Sequence, residues 1–401
     1  MEAALHDEGD EEFEAAFTAG APSPDAHTGL GPVFDNASCE GCHVADGRGR
    51  PPADGISPES FLVRISYPGR DATGGPNPVP GFGGQLQFHA IPGVIPEANL
   101  RIQYSQVTGT FADGSTYTLQ VPSYSFTSDY EPISKKMLVS PRVAPVNFGL
   151  GLLEAIPEAT ILANEDPNDA NNDGISGVAN RVWDAAAQQT TIGRFGWKAG
   201  APNLIQQTAG AYNGDMGITS PLFPAKSCEG DRTDCARHEP EVNAATVLAV
   251  ARYMQTLAVP ARRGLDDRDA NSGEMTFYQL GCAACHTPTM KTGTLDGVPS
   301  IVPNEFIHPY TDLLLHDMGP DLADGRPDFQ ATGREWRTPP LWGIGLVKVV
   351  NGHTRFLHDG RAQDLQEAVL WHGGEAKKSR DAFTALTADA RRQLIKFLES
   401  L

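Results

Sequence analysis

Two five-residue units constrain this chain more than any other feature: Cys39-Glu40-Gly41-Cys42-His43 and Cys282-Ala283-Ala284-Cys285-His286. Any fold must bring two thiols and the imidazole behind them to one place, and must do so twice. A structural zinc site wants four closed ligands, and neither unit has a second pair nearby. A thioredoxin-like redox pair sits beside a βαβ pattern, which the flanking sequence does not show. Covalent haem c attachment needs two thiols to meet the two vinyl groups on one porphyrin edge, and an imidazole on the next residue for the iron. C-x-x-C-H meets all three demands. Two covalently bound haem c groups are therefore expected, on Cys39, Cys42, Cys282 and Cys285, with His43 and His286 as proximal iron ligands.

The repetition extends beyond these units. Each is followed, after an interval, by an Arg-Pro-Gly-x-Gly stretch: "RVAPVNFGLGLL" (Arg142, Pro145, Gly149, Gly151) and "RTPPLWGIGL" (Arg337, Pro340, Gly343, Gly345). Each half then ends in an apolar segment of helical period. In "EVNAATVLAVARYMQTLAVP" the stripe is Val242, Ala245, Leu248, Ala249, Met254 and Leu257, closed by Pro260. In "TADARRQLIKFLESL" it is Leu394, Phe397, Leu398 and Leu401, with Thr387 as the cap. Matching features in one order mark an internal duplication: two related helical domains, residues 1–262 and 271–401, divided near residues 260–271. Between about 55 and 135 the first domain alternates as strands do, and "LRIQYSQVTGTFADGSTYTLQV" carries Asp113-Gly114 as a hairpin turn signal. The expected class is mainly α, with a β-rich insertion in the first domain.

At 401 residues the chain is long enough for two such domains, and 40% hydrophobic residues with 42 Gly and 31 Pro describe a loop-rich globular protein. No apolar run approaches the length of a membrane span. A formal charge of −19 argues against a nucleic-acid partner, and suits a soluble protein or one that attracts a basic partner. The acidic start "MEAALHDEGDEEFEAAF" lacks the basic-then-apolar order of an export signal. Haem c is attached outside the cytoplasm, so the expectation is a periplasmic or cell-surface protein whose signal was removed before residue 1. In that setting Cys228 and Cys235 of "SCEGDRTDCARH" would close a short disulfide loop or stand as free thiols.

A haem iron closed by two protein ligands moves electrons, whereas one with an open face binds peroxide or oxygen. Near the second unit the residues alone leave the choice open among His308, His316, Met318, His353, His358 and His372. The stretch "RFLHDGRAQDLQEAVLWHGGEA" resembles the bacterial di-haem cytochrome c peroxidases and the related di-haem enzyme that matures methylamine dehydrogenase. Those proteins have a Phe-His-Asp-Gly stretch and then a Glu-Ala-Val helix. The distal ligand of their electron-transfer haem falls just after that Val, as Met or Tyr. His372 stands at that position here, similar to the di-haem rubber oxygenases, and His/His ligation implies a lower potential than His/Met.

A longer resemblance runs through "GLGPVFDNASCEGCHVADGRGRPP", "GLLEAIPEATIL", "GRFGWKAGAPNL", "GDMGITSPLF", "PYTDLLLHDMGPDLADGR" and "EWRTPPLWGIGL". These resemble the di-haem oxidoreductase family, whose members are often labelled peroxidases or thiol oxidoreductases. The resemblance implies two cytochrome c-like domains, an electron-transfer haem in the C-terminal one and a reactive haem on His43. Peroxide cleavage needs an acid–base group above the iron. The peroxidases use a glutamate in the corresponding part of the first domain, which points to Glu154 and Glu158, with His89 as the lesser alternative. Trp197 and Trp342 are candidate aromatics for electron transfer between the irons, or core residues.

The loop "DPNDANNDGISGVAN" sets Asp169, Asn171 and Asp173 at alternate positions, followed by Gly174 and the Ile175 carbonyl. That is the first half of a calcium loop, with Asn180 where the closing Glu would stand; an Asn/Asp turn cluster reads the same way. The di-haem peroxidases hold a calcium between their domains. The leading expectation is a peroxidase-like di-haem oxidoreductase using hydrogen peroxide or oxygen, with a small cytochrome or similar protein as redox partner. The competing expectations are a non-catalytic di-haem electron carrier and an oxidase of a partner protein or bulky organic substrate.

Overall fold

The computed structural model describes residues 2–20, 27–225 and 240–401; Cys228 and Cys235 lie outside the described residues. Each half opens with a helix before its cysteine unit and closes with a helix packed against that opening one. In the first half these are α1 (Glu2–Glu14), then the short α2 (Leu150–Glu154) and α3 (Glu158–Leu162), α4 (Leu204–Met216) and α5 (Ala244–Thr256). In the second they are α6 (Arg268–Gln279), α7 (Val347–Asn351), α8 (Leu365–Leu370), α9 (Lys377–Thr384) and α10 (Ala388–Ser400). The crossings α1/α5 and α6/α10 are built alike. A Cβ on Gly9 would lie 2.2 Å from the Ala249 carbonyl oxygen, and one on Gly273 would lie 1.9 Å from that of Gln393. Only glycine permits either approach.

The closing helices are capped as their sequences suggest. Asn243 accepts from the Ala245 and Thr246 N–H groups, and Thr387 from that of Ala390. Leu394, Phe397, Leu398 and Leu401 are buried as read. In and beside α5, Val242, Ala249 and Met254 of the stripe are buried as read, but Val247, Val250 and Ala251 are buried too, while Ala245 faces solvent. The reason is that α1, α2 and α4 all pack on α5, so more than one face is covered.

The repeated Arg-Pro-Gly-x-Gly stretch has a reciprocal purpose. Gly149 and Gly343 both take positive φ, 73° and 71°. A Cβ on Gly149 would meet the Trp342 ring at 2.6 Å, and one on Gly343 would meet the Phe148 ring at 2.4 Å. Each half thus seats its aromatic on the glycine of the other. Gly151 and Gly345 press on the ends of α5 and α10 in the same matched way.

The expectation of a mainly α chain is corrected. About 28% of the described residues are helical and 20% are strand, in several small sheets. The longest strands lie in the first-half insertion. Phe61–Arg70 pairs antiparallel with Leu138–Val143, and Asn99–Thr110 pairs with Thr116–Thr127 across the Asp113-Gly114 turn. The remaining strands are two to four residues long, such as Leu315–Asp317 on Glu335–Arg337. Segments that short carry too little alternation to be read from sequence. One core gathers around Leu204, Tyr212 and Val250, a second around Phe277, Phe383 and Phe397, and a third (Val63, Ile65, Leu86) lies under the insertion.

Candidate functional site

In both cysteine units the backbone folds back on itself. The His43 N–H donates to the Cys39 carbonyl and that of His286 to the Cys282 carbonyl, each at 3.0 Å. Both imidazoles are then pinned from behind. Nδ1–H of His43 donates to the Pro145 carbonyl at 2.7 Å, and Nδ1–H of His286 to the Tyr310 carbonyl at 3.0 Å. Such a bond fixes the tautomer and leaves Nε2 as the free lone pair. A buried phenyl stands beside each ring: Phe13 is 6.2 Å from His43 and Phe277 is 6.2 Å from His286. Burial lowers the pKa of both histidines, His286 to about 4 with help from His372, so both are neutral and able to bind a metal.

Cys39, Cys42, Cys282 and Cys285 are free thiols. Burial pushes Cys39 and Cys282 up to about 12 and raises Cys42 and Cys285 as well. Disulfide exchange needs a thiolate near neutral pH, and these surroundings oppose one.

Of the six second-ligand candidates, His308 is exposed and bonded to Thr289. His353 donates from Nε2 to the Arg48 carbonyl and accepts the Arg355 N–H on Nδ1. His316 is held at both nitrogens by carboxylates, Nε2 to Asp312 and Nδ1 to Glu375, each at 2.8 Å. Cys285, Asp312 and His316 are the one group among the described residues whose donor atoms lie close enough to share a metal ion. Their hydrogen bonds already use both nitrogens of His316. His358 lies flat on Trp336, ring centres 3.7 Å apart, and Met318 lines the cavity described below. Only His372 faces His286, with ring centroids 6.4 Å apart. It stands just past α8, and its Nδ1–H donates to the Ala368 carbonyl at 2.8 Å.

These residues fit a haem at each unit. Both thiol pairs, His43, His286 and His372 line one cavity of about 940 Å³, near the top of the range of about 300–1,000 Å³ for cofactor sites. Two imidazole nitrogens each about 2 Å from one metal, with roughly 1 Å from nitrogen to ring centre, would place the centroids about 6 Å apart, as His286 and His372 are. Four buried donors on the wall, Nδ2 of Asn147, Nε1–H of Trp342, Nε–H of Arg326 and the Thr208 hydroxyl, have no acceptor among the described residues, which suits a group bearing acceptor oxygens.

Neither candidate glutamate lines this cavity. Glu154 accepts the Leu204 N–H on one oxygen and the Gln255 amide on the other, and burial raises its pKa. Glu158 is exposed at the start of α3. His89 is exposed too, stacked on Phe34. Trp197 and Trp342 both reach the cavity. Trp197 donates to the Val143 carbonyl and carries the Arg48 guanidinium 5.1 Å above its ring.

In the candidate calcium loop, Asp169 accepts the Gly174 N–H, Asn171 that of Asp173, and Asp173 that of Ile175. These oxygens cap their own turn. Asn180 is fully buried and bonded to Lys198 and Gln330. Sequence reasoning missed Asp312 and Glu375 on His316; Asp312 stood four residues away, but nothing linked Glu375 to it.

A family model described as "Di-haem oxidoreductase, putative peroxidase" matches residues 1–401. Among solved structures, a MauG-like protein associated with microbial copper homeostasis is 14% identical with a TM-score of 0.33, the match covering 69% of this chain and 91% of that one. Hydrazine synthase of Kuenenia stuttgartiensis is 16% identical with a TM-score of 0.24, covering 42% of this chain and 58% of that one. No curated protein sequence matches the chain.

Proposed function

Because this chain belongs to the di-haem oxidoreductase family, we propose that it carries one haem c on Cys39 and Cys42, another on Cys282 and Cys285, and works as a peroxidase-type enzyme. Each half, residues 1–262 and 271–401, would hold one group. When bound, the irons supply one-electron chemistry, and an iron with an open face also takes a small oxidant such as hydrogen peroxide or oxygen. One contrast carries the division of labour. His43 and His286 each have a phenyl beside them, Phe13 and Phe277, but among the described residues only His286 is also faced by a second histidine, His372. His286 and His372 would close the C-terminal site from both sides, which suits exchange of electrons with a redox partner protein. His43 would hold the N-terminal group from one side and leave the other to substrate.

The carbonyls of Pro145 and Tyr310 keep the proton on Nδ1 of each proximal histidine and so direct Nε2 inward. Trp342 is the better placed aromatic between the halves, since it sits on Gly149 at their reciprocal contact. Removing an electron from Trp197 is opposed by the Arg48 cation over its face. No helix among the described residues is long and apolar enough to cross a membrane. Covalent haem attachment would place the protein in the periplasm or at the cell surface. The loop of Asp169, Asn171 and Asp173 is the place to look for a calcium ion.

The ferric spectrum of exported, purified protein tests the reading. One low-spin and one high-spin population, with peroxide-dependent oxidation of an added electron donor, is the expected result. Two fully low-spin irons and no turnover would identify a carrier instead.

A further inference from the structure

We infer that the exposed hairpin Asn99–Thr110/Thr116–Thr127 is a strap that positions His372, acting through the buried carboxylate of Glu367. The inference rests on the reading of His372 as an iron ligand. By sequence the hairpin belongs to the first half, yet its tip ends in the core of the second. Phe111 is 5% exposed and packs 6.3 Å from the Phe383 ring. The Arg391 guanidinium lies 3.7 Å over Phe111 and reaches Asp113 at 2.8 Å. The Ala112 N–H donates to the Thr384 carbonyl. Nearer the base, the Tyr124 hydroxyl donates to Asp359 at 2.8 Å. A two-stranded hairpin is marginal by itself, so these contacts order the strap as much as the strap orders its target.

Midway along, the backbone N–H of Gln120 donates to Oε1 of Glu367, which is 4% exposed. The same oxygen accepts Nε1–H of Trp371 at 3.3 Å, and Oε2 accepts the Gln363 N–H at 2.8 Å. One carboxylate therefore ties the strap to residues on both sides of α8. The next residue, Ala368, supplies the carbonyl that orients His372. Glu367 itself does not line the cavity, although Leu365, Ala368, Val369 and His372 do. It is a positioning residue: it acts on the ligand only through the helix. Losing the Gln120 N–H would leave a buried charge short of a donor, and the loose end would be the one that carries His372.

The test uses the haem-loaded protein with three variants. In E367L the carboxylate is gone; in F111A the strap is released at its tip without touching α8; E367Q keeps one oxygen for Gln120. The readouts are the low-spin signal of the C-terminal haem and carbon monoxide binding to its ferrous form. E367L and F111A should each add a high-spin component and raise carbon monoxide affinity about tenfold, the equivalent of one charge-assisted hydrogen bond. E367Q should recover most of the low-spin signal, and the N-terminal haem should not change. If E367L fails to load haem, F111A carries the test alone. Wild-type spectra and affinity in a folded F111A would overturn the strap. H372A separates the two failures: an unchanged spectrum there means the ligand itself was misassigned.

Discussion

His316 is 3% exposed and lies between two carboxylates, 2.8 Å from Asp312 and 2.8 Å from Glu375. In H316L both acids remain inside the protein and lose their shared partner. Removing one member of a buried ion pair costs about 3–5 kcal/mol. The low end applies here, about 3 kcal/mol, because Asp312 keeps the Leu314 N–H and Glu375 keeps the N–H and hydroxyl of Ser176. The pH dependence gives a second, independent check. Burial alone would lower the His316 pKa, but hydrogen bonds to Asp312, Cys285 and Glu375 outweigh it and lift the value from 6.5 to about 12. The folded value lies above the unfolded one, so this stabilisation is complete below pH 6.5. Above that it falls by about 1.4 kcal/mol per pH unit. Glu375 runs the other way. Burial raises it, yet His316 and Ser176 hold it below 4.5, so its contribution is present above that pH and lost as pH falls. The deficit of H316L should therefore peak between about pH 4.5 and 6.5 and be smaller at about pH 8.5, declining on toward the folded value of about 12. Urea unfolding of wild type and H316L at about pH 5.5 and about pH 8.5, followed by tryptophan fluorescence, measures it. A deficit under about 1 kcal/mol at the lower pH, or a larger one at the higher pH, would refute the reasoning.

Replacing Cys39 and Cys42 by serine should remove one covalently added haem mass from the exported protein, and replacing Cys282 and Cys285 should remove the other; retention of both would exclude attachment at these units. Because Glu158 is exposed and Glu154 is bonded at both oxygens, E158Q should leave peroxide turnover intact. E154A should lower stability by about 1–3 kcal/mol in a denaturant titration. Loss of turnover in E158Q would return that residue to the catalytic role. G273A drives a methyl into the Gln393 carbonyl and should destabilise the second half by about 1–3 kcal/mol; G9A should do the same to the first, each seen as a shift of one unfolding transition. H372A should convert the C-terminal iron from low to high spin.

What the sequence disclosed is what local pattern can carry. The cysteine units, the α10 stripe with its Thr387 cap, and the Asp113-Gly114 turn each lie within a few residues of chain. The opening helices escaped notice because their packing faces are small. In α6 the buried residues are Ala270, Gly273 and Phe277, and in α1 only Gly9 and Phe13 are buried. A stripe built on glycine gives no hydrophobic signal, although glycine is what lets the helices touch. The short sheets were hidden for a different reason: three residues such as Leu315–Asp317 cannot show a period. Within the site, the residues alone could name the candidate ligands but not rank them; it was the resemblance that pointed to His372. What ranks them is which nitrogens are already bonded, and those partners are remote. Glu375 lies 59 residues from His316, and the Pro145 carbonyl lies 102 residues from His43.

The rear of each site is nearly a copy of the other. Both proximal imidazoles donate from Nδ1 to a carbonyl, both have a buried phenyl at 6.2 Å, and both lie under a helix crossing closed by glycine. The difference that the structure shows lies on the other face, where the second half presents His372 just past the end of α8. The hairpin that grips α8 through Glu367 grows out of the first half. The insertion that lengthens one domain is thus placed to act on the iron of the other. Such a device lets two halves built alike differ while their rear sides stay the same. The same device ties them together, because a second half without its strap would lose the contact that holds its distal ligand in place.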